Sequence, residues 1–140
     1  MTPRIAVAFA AAATVAVVAA VSGGLWLLGS PQAQREQALD ERRVGALRGL
    51  ARNVDLFWTR HQRLPQTLEE LSHERGVRVD LGDAETGEPY RYRTLDDTRY
   101  ELCASFARAS AARGATSPGD FWQHGAGTQC YTLSAKAVGR

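Results

Sequence analysis

The chain has 140 residues, 44% of them hydrophobic, with 17 Lys+Arg against 15 Asp+Glu. That length and near-neutral charge argue against a multidomain enzyme and a strongly basic nucleic-acid binder, and aromatic and aliphatic residues recurring to the end argue against a long disordered tail. The hydrophobic residues are unevenly spread: Arg4 is the only charged side chain before Arg35, so residues 35–140 hold the remaining 16 basic groups and all 15 acidic ones.

Residues 5–28 carry no charge, and only Thr14 and Ser22 interrupt the run of Ala, Val, Leu, Ile, Phe, Trp and Gly. A helix of this length reaches about 36 Å at 1.5 Å per residue, against a bilayer core of about 30 Å. Trp26 sits near one end, where an interfacial indole is favoured. A cleaved secretory signal is the competing reading, but signal cores run about 7–15 residues, and Leu25-Trp26-Leu27-Leu28 continues past Ser22-Gly23-Gly24. The length favours an uncleaved anchor, which a periplasmic domain would place in a bacterial inner membrane. Arg4 on one side faces Arg35, Arg42 and Arg43 on the other, so basic residues leave the orientation undecided.

Gly29-Ser30-Pro31 breaks the apolar run. The spacing predicts a second helix over about residues 34–61, because Leu47, Leu50, Val54, Phe57, Trp58 and His61 recur in steps of three and four. Leu39 and Val44 extend this stripe, and Arg35, Asp40, Glu41, Arg48, Arg52, Asp55 and Arg60 form the expected polar face. Gly45 and Gly49 weaken the helix by about 1 kcal/mol each and mark a candidate helix-packing face where another backbone can approach. Leu64-Pro65 ends the helix. Thr67-Leu68-Glu69-Glu70 has capping-box spacing for a short helix. Val77, Val79 and Leu81 alternate with Arg78 and Asp80 as a half-buried strand would. Asp83 to Gly87 is turn chemistry. Pro89–Thr94 and Arg99–Phe106 read as two strands, with Tyr100, Leu102, Ala104 and Phe106 on one face and Cys103 on the other. Residues 110–119 read as a loop, Gln129–Leu133 as a last strand, and residues 135–140 as a fraying tail. The expected architecture is α+β: an anchor over 5–28, then a domain over 34–134 in which a long amphipathic helix packs on a small antiparallel sheet.

The two cysteines, Cys103 and Cys130, belong to no CxxC pair, and His61, His73 and His124 are scattered relative to them. A zinc site is therefore a weak reading. Two cysteines behind an export-type leader read better as one disulfide outside the cytosol, contributing about 3–4 kcal/mol to a small domain. The alternative is a pair of buried thiols facing the cytosol. The disulfide reading places the domain in a periplasmic space.

Leu64-Pro65-x-x-Leu68-x-x-Leu71, Asp83-x-x-Thr86-Gly87-x-Pro89-Tyr90-x-Tyr92 and Tyr100-Glu101-Leu102-Cys103-Ala104-x-Phe106 follow the long helix in that order. This resembles the type IV pilin-like periplasmic domains, in particular the major pseudopilin of type II secretion, over most of residues 35–133. The resemblance implies an apolar helix running into an amphipathic one capped by a small sheet, and contacts with other membrane or secretion-system proteins. The family's processing signal, a Gly-Phe-Thr-like start with Glu at the fifth mature position, has no counterpart in residues 1–28, and Ala84 stands where a proline often follows the Asp. The resemblance also raises a calcium site, for which Asp80, Asp83, Glu85, Glu88, Asp96 and Asp97 offer oxygens without a strict ligand spacing. The expectation is of no required cofactor.

Among other chemistry, Phe121, Trp122 and His124 between glycines form a candidate interaction loop, either recognising a small ligand or glycan or folded over the sheet. No Ser or Cys nucleophile has an evident base, and the pairs Glu69-Glu70 and Asp96-Asp97 lie on a helix face and a turn, so no enzyme is expected. Arg91, Arg93 and Arg99 are expected to pair across strands with Glu88 and Glu101, and no nucleic-acid partner is expected.

Overall fold

The computed structural model describes residues 3–28, 30–110 and 120–138. The chain divides into two units, Met1–Arg35 and Glu36–Arg140. In the first, helix α1 spans Pro3–Leu28. It is long and apolar enough to cross a membrane. Val7, Phe9, Val15 and Leu25 are exposed, and Trp26 is 90% exposed. Thr14 donates its hydroxyl to Ala10 O at 2.9 Å, which keeps that polar group satisfied inside the helix.

Helix α2 spans Pro31–His61, beginning three residues before the sequence boundary. Ser30 caps its start, accepting the Ala33 amide on Oγ at 3.2 Å, and Pro31 takes the first helical position, where its missing N–H costs nothing. The helix ends as Gln62 turns to φ 53°, a left-handed C-terminal stop made without glycine. Leu47, Leu50, Val54 and Phe57 form the buried stripe, with Val44 and Trp58 packed beside it.

The polar face departs from expectation at Asp40. It is 3% exposed and its neighbour Arg43 is 7% exposed. The reason is periodic. Stepping back from Leu47 by four and three reaches Arg43 and Asp40, so the buried stripe continues through two charged residues.

Helix α3 is Leu68–Ser72, with Leu68 and Leu71 buried. Its capping box does not form as spaced. Thr67 makes no side-chain cap hydrogen bond, and Glu70 instead accepts the Gln66 amide at 2.8 Å and pairs with Arg63. The strand expected over Val77–Leu81 is also absent. The alternation holds, since Val77, Val79 and Leu81 pack on the core, but among the described residues no ladder partner lies alongside. Beside this segment the Gly82–Pro89 bridge forms, with Tyr90 N donating to Leu81 O at 2.9 Å and Asp83 N to Glu88 O at 2.8 Å.

Three antiparallel strands follow, β1 (Arg91–Thr94), β2 (Arg99–Phe106) and β3 (Gly127–Ser134), in the order β1-β2-β3. β1 starts two residues later than expected, since Pro89 bridges to Gly82 and the Tyr90 amide donates to Leu81 O. Tyr100, Leu102, Ala104 and Phe106 point into the core, joined there by Tyr90 and Tyr131. Residues 111–119 of the expected loop lie outside the described residues. The tail does not fray through Val138: the Ala135 amide donates to Thr98 O, Lys136 N to Asp55 Oδ1 at 2.9 Å and Val138 N to Thr59 Oγ1 at 3.0 Å.

Candidate functional site

The most tightly organised polar cluster lies where α2 meets the turn of the Asp-x-x-Thr-Gly-x-Pro-Tyr motif. Asp83 shapes that turn, its Oδ1 accepting the Glu85 amide at 2.9 Å and the Thr86 amide at 3.0 Å. Gly87 completes it at φ +71°, and a Cβ on Gly82 would sit 3.1 Å from Gly87 O, so the turn needs glycine at both places. Arg43 reaches across with its fork of donors. Nε and Nη2 bind the two oxygens of Asp83, Nη2 also binds Glu85 at 3.0 Å, and Nη1 binds Asp40 at 2.8 Å. Asp40 in turn accepts the Ala107 and Arg108 amides, each at 2.9 Å. Two charged residues thus clamp the helix to the motif turn and to the chain leaving β2.

The electrostatics follow from this geometry. The Arg43 guanidinium holds the Asp83 carboxyl well below the usual carboxylate range, helped by the Thr86 and Glu85 amides. Hydrogen bonding to Asp83 raises Arg43 above the ordinary arginine range against the opposing effect of burial. Sequence periodicity carried the signal for this clasp in the 40–43–47–50 spacing. An apolar-only template passes over it.

Of the carboxylates considered for calcium, Asp83 and Glu85 are engaged by Arg43. Asp96 closes the separate β1–β2 turn, accepting the Thr98 and Arg99 amides and pairing with the Arg99 side chain. Asp97 is exposed there and Asp80 lines a groove beside α2. Among the described residues these carboxylates do not converge on a common point. Of the arginines expected to pair across strands, Arg93 binds Glu101 at 3.2 Å, while Arg99 turns to Asp96.

The aromatic loop is folded onto the domain. His124 stacks on Phe106 with ring centroids 3.7 Å apart, and its Nδ1 lies 3.0 Å from Arg108 O. Trp122 lies 4.9 Å from the Tyr131 ring, with Arg48 5.9 Å over its own. The Tyr131 hydroxyl donates to Trp122 O at 3.2 Å, and burial pushes its pKa up to about 12. Phe121 stays 52% exposed. The loop thus presents Phe121 and keeps Trp122 and His124 in packing contacts. His61 packs on Phe57 at 4.3 Å and binds Glu74, and His73 Nδ1 lies 2.9 Å from Glu69 O.

Gly45 and Gly49 floor a groove of about 400 Å³ between α2 and residues 78–85, walled by Leu50, Val79 and Tyr90, with Arg42 and Arg78 at its edge. A Cβ at either glycine would meet nothing within 4 Å. Cys103 and Cys130 are directly opposed in the β2–β3 register and bonded to each other. No family model, curated protein or solved structure matches the chain.

Proposed function

We infer that the chain is a single-pass inner-membrane protein with a non-enzymatic, pseudopilin-like domain in the periplasm, acting through contacts with other membrane proteins of secretion or pilus assembly. One observation carries this reading: a helix apolar on every side precedes a small domain whose two cysteines are joined. The first property calls for a membrane, and the second fits an oxidising compartment. The open groove over Gly45 and Gly49 supports contact with a partner, since a glycine floor admits a close backbone. One ring nitrogen of each histidine faces Glu74 or a main-chain oxygen, contacts that position the rings for packing.

The test is made on cells expressing the full chain. The protein should stay with the membranes after alkaline carbonate washing, and its cysteines should resist maleimide until a reductant is added. A photo-crosslinking residue in place of Arg42, which lines the groove and leaves the glycine floor intact, should then give adducts with a secretion or pilus assembly protein encoded beside this chain. A chain recovered in the soluble fraction, or one whose thiols react without reductant, overturns the topology. Absence of adducts from intact membranes overturns the contact role.

A further inference from the structure

The two faces of the sheet differ in chemistry. One carries Tyr100, Leu102, Ala104 and Phe106 into the core. The other face of β2 carries Glu101, Cys103 and Ser105, opposite Thr132, Cys130 and Thr128 of β3. Opposed residues on one antiparallel face have Cβ atoms about 4.5–5.5 Å apart, so this outer face gathers one carboxylate and two sulfurs. Glu101 Oε2 lies 3.9 Å from Cys103 Sγ, and a Glu101 oxygen and both sulfurs all fall within 4.8 Å of one another. Cys130 is exposed, whereas Cys103 is buried. The competing tie on Glu101 is Arg93, a largely exposed side chain, and exposed pairs of this kind hold weakly.

We propose that this face is a redox-gated site for a thiophilic divalent cation of the zinc class, closed as the Cys103–Cys130 disulfide and opened by a dithiol reductant, with Cys103, Cys130 and Glu101 as the protein ligands. One thiolate of the reductant attacks Cys130 Sγ, the accessible sulfur, and the S–S bond breaks with its electron pair leaving on Cys103. The second thiolate of the reductant attacks the mixed disulfide and releases Cys130. The reductant departs as its own disulfide, having passed two electrons to the protein. The two thiols release two protons as the cation binds. Two thiolates and a carboxylate match the three-ligand, water-completed sites of zinc, whose Zn–S and Zn–O bonds of about 2.3 and 2.0–2.2 Å place ligand atoms roughly 3.5–3.8 Å apart. Opening the disulfide frees the two sulfurs to separate toward that spacing, from a cluster whose ligand atoms lie within 4.8 Å of one another. Thiolate donors select a soft cation, and three ligands fall short of the 6–8 oxygens of calcium. The β2–β3 ladder, paired from Arg99–Ser134 to Phe106–Gly127, supplies the frame in both states. This site is independent of the proposed assembly role.

The full chain in detergent micelles provides the test, with Co²⁺ as probe. The chain is reduced by a phosphine, desalted under anaerobic conditions and titrated beside the oxidised form. Thiolate-to-cobalt charge-transfer absorption should appear in the reduced chain alone, saturate at a single equivalent and vanish when Zn²⁺ displaces the cobalt. Cys130→Ser should abolish the two-thiolate band. Glu101→Gln, which leaves the disulfide and hence the starting fold intact, should weaken Co²⁺ binding by at least about tenfold, and Glu101→Asp should recover part of that loss. No band in the reduced chain, unchanged affinity in Glu101→Gln, or loss of near-ultraviolet circular dichroism with the cation bound would each overturn the site.

Discussion

Two helices of this chain draw on similar apolar residues and meet opposite fates. α1 leaves Val7, Phe9, Val15, Leu25 and Trp26 exposed. α2 confines its large apolar groups to one stripe and buries Leu47, Leu50, Val54 and Phe57 against three strands and α3. A stripe can be covered by neighbouring elements, whereas an all-round apolar surface needs a surrounding medium. The comparison also shows what each setting asks of polar groups. In α1 the lone threonine bonds back to its own helix. In α2 the stripe runs into Asp40 and Arg43, and burial there is tolerable because every charge meets a partner.

The contrast can be broken most completely by removing residues 5–28. That deletion should move the protein from the membrane to the soluble fraction while the Cys103–Cys130 bridge still forms, as fractionation and non-reducing electrophoresis would show. Arg43→Met comes next. It leaves Asp40, Asp83 and Glu85 without their shared cation and should cost about 3–5 kcal/mol in urea unfolding of the domain. The same variant sharpens the pH dependence. Asp83 is more acidic in the folded chain than in the unfolded one, so its contribution is fully present above the ordinary carboxylate pKa of about 3.9. It is lost as pH falls below that value toward the depressed folded one. Unfolding midpoints should therefore fall on acidification through this range in the wild type and fall less in Arg43→Met or Asp83→Asn.

Truncating the stripe itself, as in Leu47→Ala, should cost about 2–5 kcal/mol. Val15→Ala in α1, whose side chain is exposed, should leave the unfolding midpoint of the domain unchanged. The smallest expected effect has the opposite sign. Gly45→Ala adds a methyl to open space on a helix and should stabilise the domain by about 1 kcal/mol, read as a rise in thermal midpoint. If the groove over Gly45 holds a partner, Gly45→Leu should lose the membrane crosslinks formed from position 42 without loss of stability.

Much of the fold was legible in the chain because periodicity and punctuation are local properties. The 24 apolar residues, the stripe over 47–57 and the β2 strand rest on the sequence alone, and so does the turn around Asp83. The cysteine pairing was readable from two cysteines behind an export-type leader, with a pair of buried thiols as the alternative. The clasp was less legible. Asp40 and Arg43 carry the signature of a solvated face, and only the approach of the Asp83 turn and of the Ala107 and Arg108 amides, 40 to 68 residues away in the chain, makes burial favourable. The 77–81 segment shows the same limit. Its alternation determines which side chains point inward, but a strand also needs a neighbour with free hydrogen-bonding groups, and among the described residues none runs beside it. Trp122 and His124 read as a loop between glycines, and the register of β3 laid their rings on Tyr131 and Phe106. Local pattern thus determined which surfaces are apolar, while tertiary structure decided which charges are buried, because burial of a charge depends on partners that only folding brings within reach.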